Sequence, residues 1–435
     1  MRPPTHPSPS EGGGAERGCV AQKGPRFPLQ TTFRVRRFRR SSSYPAPGTL
    51  LTIGFFTCNA SPLLNGLAVS IQQFTLHLRR LGHRVFIFAP RYPDRQKAEP
   101  GTYRFPSLRV PTHHRYALPI PAAAVGLRRL IPRLGLQVIH AHHPFLVGPY
   151  ARRLACRLRV PCVFTYHTLY EHYAHYLPVV SSLAARVAEA RSYAFANQAD
   201  LVIAPTSGVQ ERLLTHGVTS PIEVIPTGIE PPGEPEEAKT RIRRRLGVPE
   251  DGPVLLYVGR LAREKNLELL LRVIHAAVRV APNLTLLVVG EGDEERSLQR
   301  LAAHLDIANR VRFVGPVPHQ AVGCWYRAAD LFVFPSVSET QGLVVLEAMA
   351  HGLPVLAVRS VGTSDFIVDG VSGALANDAE NDFVQRLLTL LRDGASLRRY
   401  AEQGRVRAMQ MTAEASAARL LEAYERLLAG TKTRV

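Results

Sequence analysis

The chain predicts an α/β protein of two doubly wound, Rossmann-like domains facing a central cleft. Three observations carry this. Short apolar runs of strand length alternate with helical segments from Leu50 onward. The alternation starts afresh at Val254, and the Pro/Glu-rich stretch E-P-P-G-E-P-E-E, residues 230–237, lies between the two series as a linker. At 435 residues, the chain is long enough for two or three domains, each with its own core.

Residues 1–48 are rich in Pro, Gly, Ser and Arg and include F-R-V-R-R-F-R-R. No strand or helix period runs through them, so a disordered basic tail is expected. Residues 50–57 (L-L-T-I-G-F-F-T) read as a buried strand, followed by the loop N-A-S-P-L-L-N-G and a helix over 68–81. Further strands are expected at 83–90, 137–140, 162–166, 201–204 and 222–225. Two Arg/Leu-rich segments, 122–136 and 150–160, read as helices. The first domain is therefore placed at 49–230 and the second at 231–435. The second series has strands within 254–260, 284–292, 311–317, 331–335 and 354–358. Ligands of such sheets bind beyond the carboxyl ends of the strands, so the expected site is the cleft between the two domains.

Charge is unevenly placed. Residues 1–48 carry 9 Lys/Arg against 2 Asp/Glu (+7), residues 49–230 carry 19 against 8 (+11), and the remainder carries 26 against 25 (+1). A globular half at +11 suits an anionic partner. No RNP-like, zinc-finger or helix-turn-helix pattern supports nucleic acid, and the two Arg/Leu-rich segments favour an anionic membrane surface. Arg128, Arg129, Arg152 and Arg153 are the basic residues of that face, with Leu127, Leu130 and Leu154 as its apolar part. No run of eighteen apolar residues is present, and the first ten residues hold no hydrophobic core of a secretory signal. The five Cys (Cys19, Cys58, Cys156, Cys162, Cys324) are scattered, as reduced thiols in a cytosolic protein would be.

The most informative segment is S-E-T-Q-G-L-V-V-L-E-A-M-A-H-G-L-P-V, residues 338–355. Leu343, Val344, Leu346 and Met349 recur at helical spacing directly after the strand L-F-V-F. Glu339 should sit at the mouth of that helix and Glu347 in its second turn. The N–H groups of Thr340, Gln341, Gly342 and Leu343 then point out of the helix start, where they suit an anion. A diphosphate over the helix start, with hydroxyls accepted by Glu339 on one side and Glu347 on the other, has the shape of a nucleotide sugar. Arg260 and Lys265, in V-G-R-L-A-R-E-K-N after the first strand of the second domain, could neutralise the diphosphate or simply pair with Glu264 or Glu268. Gly66 lies in the turn after the first strand of the first domain, where a glycine lets backbone approach a phosphate or sugar. His167 closes the strand C-V-F-T-Y-H and could hydrogen-bond a sugar hydroxyl or phosphate. His142 and His143, in A-H-H-P-F-L, end the preceding strand as packing or acceptor-side residues. There is no G-x-G-x-x-G, no P-loop, no zinc spacing and no D-x-D.

These motifs resemble those of the family-four retaining glycosyltransferases, which have the GT-B fold. S-E-T-Q-G-L-V-V-L-E-A-M-A looks like their E-x7-E motif, V-G-R-L-A-R-E-K-N like their phosphate-binding stretch, and N-G-L-A-V-S like their first-domain glycine loop. A-H-H-P-F-L-V-G and F-T-Y-H-T-L-Y-E-H-Y-A-H-Y-L are similar to the bacterial branch that glucosylates diacylglycerol, the 1,2-diacylglycerol 3-glucosyltransferases. The resemblance covers residues 50–430. One departure is that Asn65 precedes a single Gly66 where many members have two glycines.

The resemblance implies that the second domain binds UDP-glucose and the first a membrane lipid, with the last helix packing back on the first domain. It implies that Glu339 holds the donor sugar hydroxyls, Glu347 the ribose, and His167 touches the donor sugar. Arg260, Lys265 and the N–H groups near Gly342 would stabilise the departing diphosphate. No cofactor is implied, and the missing D-x-D agrees with metal-independent transfer. The expected setting is the cytoplasm, peripherally on the membrane's cytoplasmic face. Three alternatives compete: the same enzyme class with a phosphoinositide, sulfolipid-precursor or polysaccharide acceptor; a nucleotide-sugar epimerase of similar layout; and a nucleic-acid-binding protein.

Overall fold

The computed structural model describes residues 50–60, 65–92, 99–109, 117–170, 181–233 and 237–430. The basic tail expected over 1–48 and residues 171–177 of the His/Tyr-rich block lie outside them.

The first domain is built from β1 (Thr52–Phe56), α1 (Gly66–Arg80), β2 (Arg84–Pro90), β3 (Thr102–Phe105), β4 (Ser107–Arg109), β5 (Ala117–Pro119), α2 (Val125–Leu130), β6 (Val138–Ala141), α3 (Val147–Leu158), β7 (Cys162–Thr165), α4 (Ser181–Ala196), β8 (Leu201–Ala204), α5 (Ser207–Thr215) and β9 (Ile222–Val224). Seven strands form one parallel sheet in the order β3-β2-β1-β6-β7-β8-β9, and β4 pairs antiparallel with β5. β1 is central and buried along its whole length, as the unbroken apolar run T-I-G-F-F requires of a strand covered on both faces. Asn65 caps α1 by accepting from the Ala68 N–H at 2.9 Å, which accounts for an Asn before Gly66.

One expected helix is broken. Residues 122–136 fold as a 3₁₀ turn at Pro121–Ala123, the short α2, and a second 3₁₀ turn at Ile131–Leu134, ending in left-handed Gly135. Pro132 lies inside the segment and removes a backbone donor there, whereas Pro121 precedes it at the start of the first 3₁₀ turn. The expected division of the Arg/Leu segments also changes. Arg128, Arg129, Arg153 and Arg157 are exposed and Arg152 half-buried. Leu127 and Leu154, however, pack against the first-domain core and are not free to insert elsewhere.

The second domain runs α6 (Lys239–Leu246), β10 (Val254–Val258), α7 (Leu267–Ala277), β11 (Thr285–Val289), α8 (Glu295–His304), β12 (Val311–Gly315), α9 (His319–Ala328), β13 (Leu331–Phe334), α10 (Leu343–Ala350), β14 (Val355–Val358), β15 (Ala374–Ala376), α11 (Glu380–Arg392), α12 (Gly394–Met409) and α13 (Ala413–Gly430). Its six parallel strands are ordered β12-β11-β10-β13-β14-β15, so the order reverses between β10 and β13. That reversal opens a crevice at the carboxyl ends of β10 and β13, where Arg260, Lys265 and Glu339 follow.

The chain crosses between the domains twice, side by side. Ile229 N–H donates to Met411 O at 3.0 Å and Ala413 N–H to Ile229 O at 2.9 Å. Beyond this crossing α13 belongs to the first domain: Ala417, Leu420, Ala423, Tyr424 and Leu428 share a core with Ile53, Phe55, Ile71 and Phe74. The half-exposed ion pair Arg426–Glu223, at 2.6 Å, adds little to that packing.

Candidate active site

The turn from β13 into α10 carries the site. Gly342, the N-cap of α10, has φ +55°, a left-handed conformation that Gly adopts without the strain of a Cβ. The apolar residues of L-V-V-L-E-A-M-A anchor α10: Val345, Leu346, Ala348 and Met349 are buried in the second-domain core. No side chain caps its N-terminus, so the helix start presents its backbone N–H groups and the positive end of its dipole.

Glu339 lies three residues before that cap. Its Oε1 accepts from Lys265 Nζ at 2.5 Å and from Ser336 Oγ at 2.8 Å. Burial alone would raise the Glu339 carboxyl, but Lys265, Ser336 and Arg260 outweigh it and hold it below the usual carboxylate range. Lys265 therefore pairs across to Glu339, whereas Arg260 pairs with Glu264 in its own turn. The Tyr257 hydroxyl donates to Arg260 O at 3.0 Å and fixes that turn, and the Ser338 hydroxyl donates to Glu264 O at 3.1 Å. Two cations thus converge on one helix start, with an ionised carboxylate at its edge.

Glu347 stands in the second turn of α10 and differs from Glu339. Its Oε2 accepts from the Tyr326 hydroxyl at 2.8 Å. Burial raises its pKa, opposed by His319 and by the Tyr326 hydrogen bond. One carboxylate is thus held ionised while the other is biased toward its proton. The side-chain amide of Gln341 bonds both the N–H and the C=O of Thr227, so it anchors the turn to the inter-domain segment. The Thr340 hydroxyl likewise donates to His167 O at 2.8 Å, across the cleft. A Cβ on Gly66 would meet nothing within 4 Å, so neither packing nor φ demands glycine there.

Across the cleft, β6 and β7 are neighbours, which brings His142 and His167 together. His142 Nδ1 and His167 Nε2 are 3.0 Å apart. His140 stacks on His142 with centroids 4.2 Å apart and is held by the Tyr424 hydroxyl at 2.6 Å and Thr165 Oγ1 at 2.7 Å. Burial drives all of these imidazoles down, His167 to about 3 and His142 well below its usual value, so the cluster is neutral at pH 7. His167 Nε2 is engaged by His142, while His142 Nε2 is buried without a hydrogen-bond partner. His143 Nδ1 is similarly unpartnered; that ring faces Phe145 and Tyr170. Among the described residues no group of three or more His, Cys, Asp or Glu could hold a metal ion, and no helix is long and apolar enough to cross a membrane.

Several residues of this region escaped the sequence reading. Ser336 and Ser338 flank the motif and were within reach. His140, two residues before His142, was also within reach, whereas Tyr326 and Tyr424 were not, because only the fold brings α9 and α13 to these places.

Known proteins agree with this layout. Residues 64–231 match the family model Glycosyltransferase Family 4, and residues 238–407 match Glycosyl transferases group 1. The chain is 30% identical to an alpha-monoglucosyldiacylglycerol synthase of Streptococcus pneumoniae, with 78% of each chain covered. It is 28% identical to a GDP-mannose-dependent alpha-(1-6)-phosphatidylinositol monomannoside mannosyltransferase of Mycolicibacterium smegmatis, over 74% of this chain and 84% of that one. Among solved structures, sucrose-phosphate synthase from Thermosynechococcus elongatus superposes with a TM-score of 0.73 at 24% identity, covering 87% of this chain and all of that one. The chain belongs to the GT-B glycosyltransferases that join a family 4 first domain to a group 1 second domain.

Proposed function

We propose that this glycosyltransferase is a retaining enzyme that moves glucose from UDP-glucose to diacylglycerol at an anionic membrane surface. The observation that carries the reading is the Lys265–Glu339 pair at the mouth of α10, with Arg260 on the same edge of the sheet. The C1–O bond to the diphosphate breaks with charge developing on the leaving oxygens. Arg260, Lys265 and the α10 N–H groups receive that charge. The acceptor oxygen bonds to C1 from the face the diphosphate leaves, and its proton passes to a diphosphate oxygen. No divalent metal is needed, because the two cations and the helix start supply the positive charge.

Glu339 accepts the donor sugar hydroxyls and Glu347 the ribose hydroxyls. The unpartnered Nε2 of His142 is offered to a hydroxyl in the cleft, and its bond to His167 fixes the ring. Diacylglycerol is supported by the similarity to the Streptococcus pneumoniae synthase. A mannosyl donor with a phosphoinositide acceptor is the second reading, favoured by the Mycolicibacterium smegmatis relative. Docking rests on Arg128, Arg129, Arg152 and Arg153, and the apolar contact falls to Val125 and Leu146, which are 58% and 47% exposed. The reading includes peripheral association with the cytoplasmic face of the membrane. Each basic group near an anionic surface contributes on the order of 1 kcal/mol.

The test is a screen of UDP- and GDP-sugars against lipid acceptors in vesicles, read by thin-layer chromatography and by nucleotide release. A glucolipid made from UDP-glucose and diacylglycerol supports the reading. Mannolipid made only from GDP-mannose replaces it with the second, and epimerised donor without nucleotide release removes both.

A further inference from the structure

The loop between β14 and β15 lies directly on the turn that carries Glu339. A Cβ on Gly362 would sit 2.5 Å from Glu339 O and 2.7 Å from Gln341 N, so only glycine permits that approach. Thr363 tightens the loop by donating to Val358 O at 2.8 Å and accepting from Ser360 N–H at 2.9 Å. Two residues on, Asp365 reaches the other domain. Its Oδ2 accepts from the Ser207 N–H at 2.5 Å and its Oδ1 from the Ser207 hydroxyl at 2.7 Å. Ser207 is the first residue of α5, whose own N-cap is Thr206, so a carboxylate of the second domain adds a second cap to a helix of the first, at the positive end of its dipole. Arg407 of α12 braces the cap from behind, donating to Asp365 O at 2.6 Å and Phe366 O at 2.7 Å. The neighbouring Thr206 hydroxyl donates to Thr340 O at 3.0 Å, and Thr340 in turn bonds His167 O.

These contacts form one line from the Asp365 cap through the Glu339 turn to the histidine cluster. They lie apart from the paired crossings at Ile229 and Thr412, where the domains are joined covalently. Closure of the cleft is therefore supported at the crossing by chain connectivity and across the mouth by these polar bonds together with Val361, which packs against the first-domain core. Asp365 is bound to α5 and touches none of the groups assigned to the donor.

We propose that Asp365 is a positioning residue: by capping α5 from the opposite domain it holds the cleft closed and sets His142 and His167 against Glu339 and Lys265. The effect on turnover rests on the nucleotide-sugar reading above; the effect on shape does not. The groups assigned to the nucleotide lie in the second domain, so removing the cap leaves nucleotide affinity intact and lowers the fraction of molecules with both walls in register.

The variants are Asp365→Ala, Asp365→Asn and Ser207→Ala. Turnover, donor KM, UDP affinity by calorimetry, melting temperature and radius of gyration by X-ray scattering are measured on the full chain. Asp365→Ala is expected to lower kcat by roughly ten- to a hundredfold. UDP affinity stays within about twofold, and the ligand-free radius of gyration rises above the wild-type value. Asp365→Asn, which still accepts from the Ser207 N–H, recovers most of the rate. Unchanged turnover, parallel losses of kcat and UDP affinity, or a lower melting temperature with no change in kcat would each overturn the proposal. If the wild type turns over no nucleotide sugar, the functional reading fails by itself, and scattering still decides: an Asp365→Ala protein as compact as wild type refutes the latch.

Discussion

Replacing Lys265 with Ala tests the centre of the site. The Lys265–Glu339 pair spans 2.5 Å, and its side chains keep only 14% and 16% of their exposure. Removing one partner of a fully buried pair costs about 3–5 kcal/mol because the other charge is left alone. Here Ser336 still donates to Glu339 and some solvent reaches the pair, so a loss of about 2–3 kcal/mol is expected, an estimate discounted from that range. For a domain of this size, that lowers the melting temperature by roughly 5–10 °C. The pH dependence has a definite sign. The Glu339 carboxyl titrates lower in the folded protein than in the unfolded chain. Its contribution is therefore present above about pH 4.3 and is lost as pH falls through the folded value. Wild type and variant should differ most near neutrality and converge in acid. Turnover should fall roughly a hundredfold, equivalent to about 3 kcal/mol of lost transition-state stabilisation. UDP binding should weaken far less. The double variant Lys265→Ala/Glu339→Gln should be more stable than Lys265→Ala alone, since no buried charge is left unpaired, but no faster. Melting curves between acid and neutral pH, continuous UDP release and calorimetry with UDP supply the readings. Turnover within about threefold of wild type would remove Lys265 from the catalytic groups.

Three further outcomes follow. Glu347→Gln should raise the melting temperature at pH 8 by an amount worth on the order of 1 kcal/mol while weakening nucleotide binding; the raised carboxyl contributes stability in acid and loses it as pH rises through its folded value, so the gain should vanish near pH 4, and equal effects at both pH values would contradict this. Full activity is expected in EDTA, and a complete loss restored by magnesium or manganese would overturn the charge assignment to Arg260 and Lys265. Binding to anionic vesicles should fall with salt and fall again when Arg128, Arg129, Arg152, Arg153 and Arg157 become Gln, because an exposed charge is screened over about 8–10 Å; equal binding of both proteins to neutral and anionic vesicles would remove the docking surface.

Much of the fold was legible because central parallel strands must be apolar on both faces. T-I-G-F-F, V-L-L-Y-V and L-F-V-F leave little doubt about their state, and the restart at Val254 separates the two domains. Of the edge strands, β9 and β12 were legible, but β3 and β15 were not. β3, at the margin of the sheet, and the separate antiparallel pair β4–β5 are short and half-polar, where burial imposes no pattern. The segment 122–136 has helical spacing, but Pro132 within it overrides that spacing. Within the site, residues close in sequence to the helix start were readable, because a turn from strand to helix has few geometries. Gln341 shows the limit: its backbone N–H was expected at the helix start, but nothing local marks its side chain for Thr227, 114 residues away. Tyr424 and Asp365 act across more than a hundred residues of chain, and no local pattern marks such partners.

The most direct test is the anomeric configuration of the product. UDP-glucose carries an α-linked sugar. The enzyme is given this donor with diacylglycerol in anionic vesicles, and the anomeric proton of the isolated lipid is read by NMR. An α-linked glucosyl diacylglycerol is expected, with one UDP released for each lipid formed. A β-linked product would contradict retention, and intact or epimerised donor with no glycolipid would contradict the transfer itself.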